Sequence, residues 1–200
     1  MYSPKLTAIK IKEAEKKLGK GLVYHSAQQI RHANELLGKK YDPEQAKVIE
    51  PLKPSEKWWI NNERTLCMLD FHYWLTNYAK IINLQKKLVS FAPNIAQKIV
   101  LDVWSEMEEE GIAIYIQQLK ARQLGMSLLT ELAVAHRVQF YMNVNALVAS
   151  CDERKSETMS KMMEITWVNQ PWFMVPKMTT YRTGQLIEFG KLNSAVSIQH

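Results

Sequence analysis

Long apolar runs are missing from this sequence. No stretch approaches the roughly 18 consecutive apolar residues that a membrane-spanning helix needs, and the N-terminal Met-Tyr-Ser-Pro-Lys-Leu-Thr lacks the extended apolar core of a secretory signal. Neither a helical membrane protein nor a signal-bearing secreted one is expected. Cysteine is equally scarce. Cys67 and Cys151 lie far apart and form no metal-type pair, so reduced thiols are the default and neither a disulfide scaffold nor a zinc site is indicated. Internal repeats and low-complexity tracts are absent as well.

What remains is enough for a core. The 200 residues are 46% hydrophobic and 23% charged, which suits one soluble globular domain, or one domain with a helical appendage. The net charge of +6 and the pI near 9.2 favour acidic partners, nucleic acid being the usual one. Residues 1–60 carry twelve Lys/Arg against seven Asp/Glu, and so hold most of the surplus. A well-solvated surface accounts for the same excess without any partner.

In chain order, Leu6, Ile9, Ala14 and Leu18 recur at helical spacing in a lysine-rich segment that Gly19 and Gly21 stop. Ser26 is placed to cap a second helix that ends at Gly38. Two short helices around a glycine turn fit a DNA-binding helix-turn-helix, a docking element or a plain helical hairpin. Asp42-Pro43, Pro51 and Pro54 mark a linker over 42–56, giving a basic extension at 1–56 and a packed unit at 57–200 that begins at Trp58-Trp59. An aromatic stripe over 64–82, including Phe71, Trp74 and Tyr78, reads as core. Pro93 opens a helix that runs to about Glu110, and its last turn, Glu106–Glu110, puts negative charge at the unfavourable end of the helix dipole.

The centre of the sequence is residues 112–137. Ile112–Leu119 is β-branched and apolar and reads as a buried strand; Met126–Arg137 has Leu128, Leu129, Leu132 and Ala133 at helical spacing. Between them, Lys-Ala-Arg-Gln-Leu-Gly-Met-Ser (Lys120–Ser127) forms a polar loop with one glycine, Gly125. Strand, tight loop and helix is the layout of a phosphate-binding loop, in which a helix N-terminus offers N–H groups to an anion. The standard Gly-x-x-x-x-Gly-Lys-Ser/Thr pattern is met at Gly125 and Ser127, but Met126 stands in the lysine position and Lys120 in that of the first glycine. The same spacing also fits an ordinary basic loop entering a buried helix. Beyond it, Val144–Ser150 reads as a second buried strand, and Ser150-Cys-Asp-Glu153 as a capping box for a helix to about Trp167. Residues 184–190 and 194–198 read as two short strands of a hairpin. This alternation predicts an α/β fold with a parallel sheet.

Lys-Ala-Arg-Gln-Leu-Gly-Met-Ser resembles the variant Walker A loop of phage terminase large subunits, ATP-driven motors that package viral DNA, some of which carry the lysine early in the loop. The resemblance extends over about 57–200, through Phe71-x-x-x-x-x-Asn77-Tyr78-x-x-Ile81, Ala146–Glu157, and Asn169-Gln-Pro-Trp172 with Pro176. It implies a P-loop NTPase fold of the RecA/ASCE type and an ATPase (hydrolase) that moves double-stranded DNA into a procapsid in the cytoplasm of an infected or lysogenic bacterium. It further implies ATP and Mg²⁺ as cofactors. The small terminase subunit, the portal and further copies of the chain are the partners of an intact motor. Within the loop, the backbone of Ala121, Gln123, Leu124, Gly125, Met126 and Ser127 would cradle phosphates and Ser127 would ligate Mg²⁺. Lys120 would neutralise β/γ-phosphate charge and Arg122 would stabilise the transition state. Gln97 takes the place of the glutamine that recognises adenine. Arg154 and Lys155 take that of DNA-facing residues after the second strand, although two solvated side chains in a first helical turn read as well.

Two parts of such a motor have no counterpart. No apolar strand ending in Asp or Asp-Glu follows Ser127 to hold Mg²⁺ and orient water, and residues 177–200 contain Glu188 as their single carboxylate, against the clustered acids of a terminase nuclease. The sequence is therefore expected to bind nucleotide with little or no turnover, as the front part of a terminase-like ATPase. A non-enzymatic DNA-binding or packaging-partner module, and a piece of another P-loop helicase or translocase, are the alternatives.

Overall fold

Helix α1 (Pro4–Leu18) begins where the Ser3 hydroxyl accepts the Leu6 amide, with proline in the first turn, and ends at Gly19, whose φ of 65° is the left-handed conformation that closes helices. The computed structural model to which it belongs describes residues 2–119, 124–150, 152–182 and 186–199, with residues 180–182 described by their backbone alone. Helix α2 (Ala27–Gly38) has a full capping box, Ser26 and Gln29 each bonding the other's backbone amide. The proline-marked segment that follows is not a bare linker. It holds a two-stranded antiparallel hairpin, β1 (Tyr41–Asp42) with β2 (Lys47–Val48), and Pro54 opens helix α3 (Pro54–Leu69).

The aromatic stripe expected over 64–82 is divided among three elements. Asp70 ends α3 and its side chain accepts the Tyr73 amide to cap α4 (Phe71–Asn77); the chain then turns into the hairpin β3 (Lys80–Ile82) and β4 (Leu88–Ser90). Helix α5 (Ile95–Glu109) starts from Asn94. Its acidic last turn, unfavourable in isolation, meets the start of α1: Glu108 accepts the amides of Tyr2 and Ser3 at 2.7 and 3.0 Å, and Glu109 lies 3.5 Å from the Lys5 ammonium. One helix's negative end thereby satisfies the positive end of another.

Ile112–Leu119 does not form the expected strand: it joins none of the described strand pairings and is exposed. β-branched composition describes a segment that fits a pleated surface, but a strand also needs a hydrogen-bonding neighbour, and the described strands pair among themselves. Helix α6 (Met126–Phe140) is the central helix, buried along most of its length through Leu129, Leu132, Ala135, Val138 and Phe140. The strand expected at Val144–Ser150 is present as β5 (Asn145–Ala149), yet it forms an edge and buries Val148 alone. Helix α7 (Glu153–Val168) is capped by Asp152, not Ser150. Strands β6 (Thr180–Arg182), β7 (Leu186–Phe189) and β8 (Ser194–Gln199) complete a four-stranded sheet in the order β5-β8-β7-β6. The pairing is mixed where a parallel sheet was expected. β5 runs parallel to β8, whereas β8–β7 and β7–β6 are antiparallel, because the last three strands follow one another through short connections that only antiparallel neighbours permit.

One core joins these parts. Tyr2, Ile30 and Leu37 from the N-terminal segment pack in the same cluster as Phe71, Trp74, Leu129, Trp167 and Ile187. Within it the fully buried Glu63 carboxylate accepts from Tyr78 Oη at 2.6 Å, Tyr73 Oη at 3.0 Å and His25 Nδ1 at 2.6 Å, so a charge-capable group out of water is surrounded by donors. Burial, with Glu63 beside them, raises both tyrosine pKa values. Among the described residues no helix is long and apolar enough to cross a membrane.

Candidate nucleotide-binding loop

The site is built from two helix starts brought face to face. At the first, Asn94 and Gln97 form a capping box: the Gln97 amide donates to Asn94 Oδ1, and the Asn94 amide to Gln97 Oε1, both at 2.9 Å. The other half of each side chain crosses to the loop. Gln97 Nε2 donates to the Gly125 carbonyl at 2.7 Å, and Asn94 Nδ2 to the Leu124 carbonyl at 3.1 Å. Gln97 is 3% exposed. Both ends of its amide are thus engaged within the protein, and reading adenine through that amide requires one of these bonds to be given up.

At the second start, Gly125 is the N-cap of α6 with φ of 69°. No side chain caps this helix, and among the described residues nothing accepts from the amides of Met126, Ser127 and Leu128. These are the orphan donors of a helix N-terminus, oriented for an anion. Ser127 is exposed, whereas Met126 is 6% exposed. The position that holds lysine in the standard motif here points into the core and supplies packing, so any cation of the loop must come from elsewhere in it. Lys120, Ala121, Arg122 and Gln123, the expected sources and part of the expected cradle, lie outside the described residues.

The structure therefore brings together Gln97, Leu124, Gly125, Met126 and Ser127 of the expected set. Arg154 and Lys155 are placed apart in chain and element, on the exposed first turn of α7 beyond the end of β5, where the Arg154 amide donates to Asp152 Oδ1. Two residues escaped the sequence reading. Asn94 reads in the sequence as a cap alone, since a cap looks the same whether or not it also reaches a neighbouring loop. Glu131 lies one helical turn beyond Ser127, is 2% exposed, and neither of its carboxylate oxygens has a partner among the described residues. Burial pushes its carboxyl up to about 8. The signal was in the sequence: a single acid inside Leu-Leu-Thr-Glu-Leu-Ala, on a helix whose other residues there are mostly apolar. Among the described residues no cluster of three His, Cys, Asp or Glu side chains is arranged to hold a metal ion. No protein-family model matches this chain, and no curated protein matches it.

Proposed function

We propose that residues 120–127 hold the phosphates of Mg²⁺–ATP, and that the chain is the nucleotide-binding part of a viral DNA-packaging motor of the large-terminase type. The observation that carries this reading is the bond from Gln97 to the Gly125 carbonyl. It ties the start of α5 to the glycine N-cap of a helix with no side-chain cap, so that an anchored helix start presents amides with no acceptor among the described residues. A phosphate group fits those donors, and Ser127 stands exposed beside them for Mg²⁺. Lys120 and Arg122 supply positive charge, Lys120 to the β/γ-phosphates in the ground state and Arg122 to the charge that develops in the transition state. When bound, ATP provides the phosphoryl transfer whose energy drives translocation of double-stranded DNA into the procapsid, in the cytoplasm of the bacterial host. The small subunit, the portal and further copies of the chain are the partners this reading entails.

The test is titration of a fluorescent ATP analogue with Mg²⁺ into the 200-residue chain, with steady-state ATPase measured alongside. Binding with little turnover is expected, because no second acidic motif follows the loop. Lys120→Ala should abolish binding; unchanged affinity in that variant would sink the displaced-lysine assignment. One observation favours a second reading. The exposed Ile112–Leu119 leaves the loop without the strand that normally supports it, which suits a non-enzymatic module that docks DNA or a packaging partner through its basic helices. Steeply salt-dependent duplex binding with no affinity for the ATP analogue would select it.

A further inference from the structure

A second cavity lies away from this loop in the fold. It is a cleft of about 760 Å³ between α2, the β1 hairpin, the end of α4, β3 and the segment after α7. That volume falls within the roughly 300–1,000 Å³ of small-molecule sites. Two features give it a chemical character. Its lining holds two cations, Arg31 and Lys80, and no carboxylate, and among the described residues neither cation has an ion-pair partner. The two feel one another: Lys80 is depressed by burial and, after that, by the positive charge of Arg31. An anion placed between them removes that repulsion. Lys80 is held in position by Ser90, whose hydroxyl oxygen lies 2.7 Å from its ammonium.

The second feature is aromatic. Tyr41 lies flat on Trp172, with ring centroids 5.0 Å apart and planes 6° from parallel. The platform is fixed from both sides, since β1 pairs with β2 through Tyr41, and the Trp172 indole donates to the Leu37 carbonyl. In the same lining, the side-chain oxygen of Asn34 is buried without a partner among the described residues. An unpaired buried acceptor is destabilising unless a ligand donor satisfies it. A free phosphate would use the cations and leave the platform and the amide idle.

We propose that this cleft is a second binding site, for a mononucleotide unit, with the phosphate between Arg31 and Lys80 and the base on Tyr41. The assignment is independent of the loop preceding α6. The same unit reaches the cleft either as a free nucleotide or as the end of a single strand, and both present identical chemistry to these residues.

The experiment is isothermal titration of the full chain with AMP in the absence of Mg²⁺, with inorganic phosphate and a short oligothymidylate as parallel probes. AMP is expected to bind, more weakly as salt is raised. The Arg31→Ala/Lys80→Ala variant should lose at least about tenfold in affinity, the loss of charge-assisted bonds, and Tyr41→Ala should also weaken binding. Lys120→Ala should leave AMP binding intact, which separates this site from the loop. Lys80→Gln, which can still bond Ser90, serves as a check that lost affinity reflects lost charge and not lost fold. Oligonucleotide binding that competes with AMP and falls in the same variants identifies a strand end as the source; AMP binding alone identifies a free nucleotide. Absence of AMP binding at millimolar concentration, unchanged affinity in Arg31→Ala/Lys80→Ala, or phosphate binding as tightly as AMP would overturn the proposal.

Discussion

A single glycine shows how tightly the loop is specified. A Cβ built on Gly125 falls 2.7 Å from Gln97 Nε2, and its φ of 69° already disfavours any side chain. Gln97 has no room to yield, since its other amide end completes the cap of α5. Gly125→Ala should therefore lower unfolding stability by about 2–3 kcal/mol, the left-handed penalty plus a broken or strained hydrogen bond. In a Gln97→Ala background the clash is gone, and the same change should cost only about 1 kcal/mol. Urea unfolding of the four proteins closes the cycle. Strict additivity would mean that Gly125 is chosen for its backbone conformation alone and that Gln97 does not clamp the loop.

At the level of elements, helix α6 carries two buried titratable groups of opposite sign. Glu131 has a folded-state pKa near 8, raised by burial, so from about pH 4.5 upward the unfolded chain releases this proton while the folded chain keeps it. Stability then falls as pH rises through that window and levels off above pH 8, by a total on the order of 3–5 kcal/mol. His136, buried among Phe71, Trp74 and Phe140 with Nε2 donating to the Cys67 carbonyl, is pushed down to about 3 by desolvation. The unfolded chain gains its proton first, so stability is lost as pH falls from about 6.5 toward 3. Thermal unfolding across pH 5–9 should show the alkaline loss in the natural chain and little of it in Glu131→Met. A variant that keeps the full alkaline slope would show that Glu131 is not its source. Neither group was legible as a titrating one, because helical periodicity reports which face is buried and not what a polar residue finds there. The helix starts were legible where local chemistry fixes them, at Ser26 and close to Pro93, whereas Pro54, which reads as part of a linker, opens α3. The two hairpins were not. Their turns place Ala46 and Lys86 at φ of 47° and 58°, and neither carries the Gly or Asn signature by which a left-handed turn residue is recognised. Of the site, Gly125 and Ser127 were readable from spacing; that Gln97 would touch Gly125 was not, since the contact depends on how α5 packs against α6.

For the whole molecule, the N-terminal 56 residues are the decisive case, because the sequence marks them as an appendage and the structure packs several of them into the shared core. The Tyr2 ring packs 5.1 Å from Phe71 and 5.0 Å from Trp104, and the Tyr2 carbonyl accepts from Ser105 Oγ at 2.7 Å. Val23 exchanges two hydrogen bonds with the buried Asn62 side chain, both 2.8 Å. His25 is the shortest-range donor, jointly with Tyr78, to the Glu63 carboxylate. Removing 1–56 would leave Glu63 short of a donor, Asn62 without its backbone partners, and the faces of Phe71 and Trp104 in water. Losing one partner of a buried charge costs about 3–5 kcal/mol, and total stabilities are commonly about 5–15 kcal/mol. The segment 57–200 alone is therefore expected to lack cooperative urea unfolding and a native near-ultraviolet circular dichroism spectrum, both of which the full chain should display. If 57–200 instead unfolds cooperatively with that spectrum, the N-terminal helices are a separable extension, and the basic charge they carry is free to be a docking surface in its own right.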